Sequence, residues 1–187
     1  IENYPEDKVE MLDAPYWPHD IPKEGTRGVP LTREVFIERD DFMENPPKKF
    51  FRLSLGNEVR LKGAYIIKAN NVIKNDKDEV VEVECTYDPK SKSGSGSPES
   101  QRKVKGTLHW ISQNHSVNVE IREYERLFND ASPGDYDMSE FKNIINTESV
   151  KYLNGYGEKI LQKSLPGEPF QFQRKGYYVS DLSSTKD

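Results

Sequence analysis

Arg52, Arg60 and Lys62 are residue types that grip phosphate and base edges, and they sit in an unusual neighbourhood. From Lys48 to Lys74 there are seven basic residues against the single acid Glu58, a local charge of +6 in a chain whose formal net charge is −5. Arginine presents a planar fork of donors that suits phosphate oxygens and guanine edges, and its face stacks on bases. Alternation of period two sorts the stretch into an inward set (Leu53, Leu55, Val59, Leu61) and an outward set (Arg52, Arg60, Lys62). Phe50, Phe51 and Tyr65 lie among them as stacking platforms or as core. From Ile1 to Pro47 five bases face twelve acids, a local −7. A basic island with acidic flanks orients a polyanion while discouraging promiscuous binding.

Two further groups have the same chemistry. Arg102, Lys103 and Lys105 bracket Val104, either as a second basic cluster or as a solvated strand edge. Phe170-Gln-Phe-Gln-Arg174 supplies a glutamine amide that can read a base edge and an arginine for phosphate. Strict alternation puts Gln171 and Arg174 on opposite faces, so both reach one ligand only if a bulge or strand end intervenes near Gly176. Lys48, Lys49 and Lys68 are candidates for backbone contact.

Catalytic signals are weak by comparison. His19, His109 and His115 have no metal-ligand partners at helical or hairpin spacing, and His109, before Trp110, suits strand packing. There is no glycine-rich phosphate loop ahead of a helix and no nucleophile elbow. Acid pairs such as Asp40-Asp41 and Asp76/Asp78 sit at turn positions, where carboxylates bond to backbone amides. No catalytic residue and no metal site are expected in this chain.

The elements that must position these groups are mostly strands. Val81, Val83 and Cys85 alternate with Glu82, Glu84 and Thr86, and Val117, Val119 and Ile121 alternate with Asn118, Glu120 and Arg122. Similar runs near 35–38, 52–55, 59–68, 103–111 and 170–179 predict half-buried antiparallel strands. Asn75-Asp-Lys-Asp78 predicts a hairpin loop, and Pro89 to Ser100 a mobile low-complexity loop. Asn129 to Ser139 predicts another long connection. Helix is expected only at 41–44 and at 140–145, the latter capped by Ser139. Apolar content of 34% and a mean hydropathy of −0.87 fit thin β layers with one wet face. The expectation is a mainly β chain of two small antiparallel β-barrels with a few short helices. The first spans 1–105 and the second 106–187, with the strands at about 165–180 packing back on the first. The single Cys85 rules out an intrachain disulfide and suggests a reducing compartment. No apolar run approaches the roughly 18 residues of a membrane span. Starting at Ile1 and ending in a polar tail, the chain reads as a piece of a longer protein.

Several segments resemble the C-terminal anticodon-binding region of glutaminyl-tRNA synthetases, in that family's order along nearly the whole chain. They include Gly25-Thr-Arg-Gly-Val-Pro30, Phe51-Arg-Leu53, Gly56-Asn-Glu-Val-Arg-Leu61, Ala64-Tyr-Ile-Ile-Lys68, Val104-Lys-Gly-Thr-Leu-His-Trp-Ile-Ser112, Glu120-Ile-Arg-Glu-Tyr-Glu-Arg-Leu-Phe128 and Phe170-Gln-Phe-Gln-Arg-Lys-Gly-Tyr177. The resemblance implies two barrels of a ribosomal-protein-like type. It implies a parent enzyme joining glutamine to its tRNA with ATP and Mg²⁺ at an N-terminal catalytic domain. By the same resemblance Arg52, Arg60, Gln171 and Arg174 fall on positions that read or clamp the anticodon. Lys62 stands where some members carry arginine, Phe51 where some carry lysine, Lys49 where some carry glutamine, and Asp20 where some carry an amide. Arg27 is expected to serve the fold or a backbone contact. A monomeric cytoplasmic protein that binds tRNA(Gln) is implied. A glutamyl-tRNA synthetase of eukaryotic type and a β-barrel that binds ribosomal RNA or protein remain alternatives.

Overall fold

A computed structural model describes residues 1–16 and 25–183; His19 and Asp20 lie outside the described residues. Among the described residues twelve strands run in chain order: β1 Glu10–Pro15, β2 Thr26–Leu31, β3 Val35–Ile37, β4 Glu58–Leu61, β5 Ile66–Lys74, β6 Val80–Tyr87, β7 Thr107–Leu108, β8 Trp110–Ser112, β9 Ser116–Tyr124, β10 Val150–Glu158, β11 Pro169–Phe172 and β12 Gly176–Val179. Among the described residues the one α-helix, α1, is Phe141–Ile144. The chain is mainly β, as its alternation predicts. It divides into two compact units, one of Ile1–Ser116 with Glu158–Asp187 and the other of Val117–Gly157.

In the larger unit the sheet β6–β5–β4–β7 holds the basic island. Val59 and Leu61 are buried in the core with Leu53, Leu108 and Trp110, while Arg60 between them points away and is half-buried. A fully buried leucine such as Leu61 contributes roughly 1.5–3 kcal/mol, so this alternation fixes the face that Arg60 and Lys62 present. The predicted strand 59–68 is in fact β4 and β5 joined by a turn at Gly63, whose φ of +70° favours glycine. The hairpin β5–β6 turns at 75–79, where Asn75 Oδ1 accepts from the amides of Lys77 and Glu79. The β5–β6 register shifts between Ile73 and Lys74, skipping Val81, which is 62% exposed although it alternates with Val83 and Cys85. Leu55, expected inside, is 39% exposed, because 52–55 joins its neighbours only through the single bridges Phe42–Leu53 and Leu55–Ala69.

Pairing is not uniformly antiparallel: β4 and β7 run parallel, Arg60 opposite Thr107. Among the described residues the ladders form one four-stranded and four two-stranded sheets, and none closes into a barrel. Between the ladders, 39–57 and 89–106 run mostly as turns and 3₁₀ segments rather than as continuous strands. The expected strand over 103–111 is reduced to β7 and β8 for the same reason. The loop expected to be mobile opens with the 3₁₀ turn Pro89–Ser91 and is tied down by side-chain hydrogen bonds. Ser91 is fully buried, donating to the Asp88 carbonyl and accepting from the Ile66 amide. Ser93 donates to Ala64 O, Ser97 to Lys90 O and Ser100 to Ser97 O. Serine hydroxyls there replace ladder hydrogen bonds.

In the smaller unit Val117, Val119 and Ile121 of β9 are half-buried and Asn118, Glu120 and Arg122 exposed, as alternation requires. The Phe128 and Phe141 rings pack with centroids 5.6 Å apart. The helix expected at 140–145 is a single turn whose N-cap is Glu140 rather than Ser139, with no side-chain capping bond from that residue. The helix expected at 41–44 is a 3₁₀ turn, Arg39–Asp41, one residue pair earlier.

Candidate nucleic-acid interface

The 3₁₀ turn Arg39–Asp41 ends on a carboxylate with no solvent exposure at all. Asp41 was expected to satisfy backbone amides. Instead its side chain accepts from two guanidiniums. Arg52 Nη1 lies 2.6 Å from Oδ1, Arg174 Nη1 2.8 Å from the same oxygen, and Arg174 Nη2 2.5 Å from Oδ2. The local backbone explains the first contact. Leu53 N donates to Asp41 O and Met43 N to Leu53 O, so the segment carrying Arg52 runs beside 41–43.

Arg174 arrives from 133 positions away. It occupies the turn between β11 and β12 with φ +66°, a left-handed conformation that costs a non-glycine residue roughly 1–2 kcal/mol. The bidentate charged pair offsets that cost. This turn is the strand end that the sequence required near Gly176 if Gln171 and Arg174 were to serve one ligand. Its residues are held one after another: Gln173 Oε1 accepts from Lys62 Nζ at 2.7 Å, Arg174 grips Asp41, and Lys175 Nζ meets Glu38 Oε2 at 3.0 Å. The hydrogen bond to Glu38 raises the Lys175 pKa, and that to Asp41 raises the Arg174 pKa. Lys62 is pushed the other way, first by burial and then by the charge of Arg27.

Arg52, Lys62 and Arg174 are therefore brought together around one turn. Two cations share one anion, so positive charge is left over, and both guanidiniums reach solvent, at 40% and 34% exposure of their side chains. Unit charges about 4 Å apart at a surface-like dielectric interact by about 4 kcal/mol. Two attractions to Asp41 thus outweigh one repulsion between the arginines. Gln171 is exposed on β11 opposite Tyr177, which is 84% exposed, while Phe172 and Tyr178 pack with centroids 4.9 Å apart.

Arg60 has a different setting. Its Nη1 donates to Ser91 O and Ser93 Oγ, and its Nη2 to Ser100 O, at 2.8, 3.1 and 2.9 Å. Arg102 pairs with Glu58 and, at 3.4 Å, with Asp88, and the Glu58 hydrogen bond raises its pKa. Lys48, Lys49, Lys68, Lys103 and Lys105 are exposed, Lys68 opposite Glu58 in the β4–β5 register. Phe51 is 51% exposed and Lys105 Nζ sits 5.5 Å from its ring centroid, so Phe51 presents a wet aromatic face whereas Tyr65 is buried. Gly106 permits that neighbourhood, since a Cβ there would meet Phe51 O at 2.5 Å. Arg27 bonds Glu158 at 2.5 and 2.6 Å and donates to Pro15 O, a role in the fold. Burial lowers the His109 pKa.

Sequence reasoning missed Asp41, Glu38, Gln173 and Lys175. Nothing in the order of residues separates Asp41 from Asp40, whereas Gln173 and Lys175 flank a residue already singled out.

A model described as class I (E and Q) tRNA synthetase anticodon-binding domain matches residues 1–88, and a second model of the same description matches residues 107–181. The glutamine–tRNA ligase of Bradyrhizobium diazoefficiens is 51% identical over 186 residues, 99% of this chain and 32% of that protein. Those of Clostridium perfringens and Nitrosomonas europaea are 46% and 45% identical, over 100% and 99% of this chain and 33% of each relative. The chain spans about a third of the length of the curated relatives it matches, at 32% and 33%. With two matched models and identity along its whole length, the chain belongs to the anticodon-binding domains of the class I glutamate and glutamine tRNA synthetases.

Proposed function

We propose that this chain is the anticodon-reading part of a glutamine–tRNA ligase and that it binds tRNA(Gln) through the turn that joins β11 and β12. The observation that carries this reading is the meeting of Arg52 and Arg174 on Asp41, beside Lys62. An anticodon loop offers unstacked bases with free Watson–Crick edges and closely spaced phosphates, which suits forked donors on a rigid support. Arg52, Lys62, Gln171 and Arg174 act on the bases, and the exposed ring of Phe51 offers a stacking face. Lys48, Lys49, Lys68, Lys103 and Lys105 contribute phosphate attraction without base preference. Arg60 and Arg102 serve mainly by shaping the 89–102 loop.

The module acts as a monomer in the cytoplasm, joined to a catalytic domain that holds the ATP and Mg²⁺ of the ligase reaction. Filter binding tests the reading. Transcripts of tRNA(Gln), with anticodon cytosine or uracil, uracil, guanine, are compared with tRNA(Glu) and with middle-base variants. Preference for the glutamine anticodon is expected. Preference for tRNA(Glu) would assign the module to a glutamyl enzyme, and equal binding to all would sink anticodon reading.

A further inference from the structure

We propose that Asp41 is a positioning residue for anticodon discrimination, a buried anion that locks Arg52 and Arg174 into a single two-guanidinium reading element. The proposal rests on the anticodon reading above and deepens it. Asp41 has no exposure and so cannot meet RNA itself. All of its leverage runs through the three nitrogen–oxygen contacts of 2.6, 2.8 and 2.5 Å.

Three features give the arrangement a purpose beyond holding the fold. Oδ1 is shared by both arginines, so neither guanidinium can rotate without disturbing the other's partner. Arg174 sits in left-handed backbone, and its two flanking side chains are tied separately, Gln173 to Lys62 and Lys175 to Glu38. The turn is thus anchored even without Arg174, and the bidentate pair sets the guanidinium rather than merely docking the hairpin. Arg52 uses one nitrogen and Arg174 two on Asp41, which leaves donors of both facing solvent. A neutral partner would satisfy the same hydrogen bonds for one arginine and leave two like charges with nothing between them. A reading element held in advance loses little freedom when it engages a base, and that favours discrimination over bulk affinity.

Double-mutant cycles on this chain decide the matter, with RNA hairpins of glutamine anticodon and of altered middle base as probes. In Asp41→Asn the preference for the glutamine hairpin is expected to fall about tenfold or more, while affinity for the altered hairpin and its salt dependence stay near wild type. Adding Asp41→Asn to Arg52→Gln/Arg174→Gln should cost no further preference, because the carboxylate acts only through those arginines. A merely structural role predicts an equal loss of affinity for both hairpins, with no change in the preference between them, and that result overturns the proposal. If Asp41→Asn does not fold, Asp41→Glu keeps the charge while shifting both guanidiniums by about one methylene. Folded Asp41→Glu should lose preference, and wild-type preference in it overturns the proposal. Wild-type protein that cannot tell the two hairpins apart defeats the anticodon reading itself, and this proposal with it. Preference kept in wild type and in every Asp41 variant defeats only the proposal.

Discussion

Arg52 and Arg60 belong to one basic island and were indistinguishable by pattern, yet they end in opposite circumstances. Arg52 meets a buried carboxylate shared with a second arginine, while Arg60 meets the neutral oxygens of Ser91, Ser93 and Ser100. The first arrangement leaves net positive charge and unfilled donors at the surface. The second consumes donors to shape a loop whose serines stand in for a missing strand. On the proposed reading, the type of partner, more than exposure, separates an arginine available to a ligand from one engaged by the fold. Arg60 and Arg52 are both only partly buried.

The largest expected effect comes from removing the anion. Asp41→Ala should lower stability by about 2–3 kcal/mol, less than for a fully buried pair because the two guanidiniums that lose their counter-charge are 40% and 34% exposed. Thermal or denaturant unfolding measures it, and a loss under about 1 kcal/mol would mean that the arginines find water as easily as Asp41. Arg174→Ala and Arg52→Ala should each weaken cognate RNA by roughly 1–3 kcal/mol and relax base preference. Uniform weakening across all RNAs would make them phosphate contacts. Arg60→Ala should leave base preference intact and cost about 1–2 kcal/mol of stability, with faster amide exchange over 89–102. Loss of base preference in Arg60→Ala would erase the contrast with Arg52. The smallest change is Lys49→Ala, which should reduce the salt slope of binding by about 1 with no change in preference.

A pH experiment probes a different polar cluster of the larger unit, where Tyr65 and Lys92 meet Glu10. Glu10 is opposed by burial, but hydrogen bonds from Lys92, Lys8 and Tyr65 prevail and hold its pKa at about 2, below the ordinary 4.5. The stability it contributes is present above the unfolded value and is lost as pH falls through about 2. Glu10→Gln should flatten this acid limb of the stability curve. An unchanged limb would assign acid sensitivity elsewhere.

The β character, the 75–78 hairpin and the inward faces of β4 and β9 were legible, because burial enforces alternation on any half-wet strand. Arg52, Lys62 and Arg174 were legible as candidates because charge type and local density are visible in one dimension. Leu55 and Val81 misled, since alternation does not say whether core lies behind a residue, nor where a register shift such as that at Ile73–Lys74 will interrupt it. The hydrogen bonding of the 89–100 loop was not legible, because serine-rich composition resembles a linker and the acceptors at Ala64, Asp88 and Lys90 are set by the fold. Short runs within 39–57 and 103–106 gave no hint that the ladders would stop there.

Sequence alone determined which residues carry charge, which strand faces are apolar and which family the chain resembles, since these depend on residue type and near-neighbour order. Tertiary structure alone decided which arginines share Asp41. A carboxylate selects its partners by distance after folding, and the 133 positions between Asp41 and Arg174 are closed only when the β11–β12 turn docks.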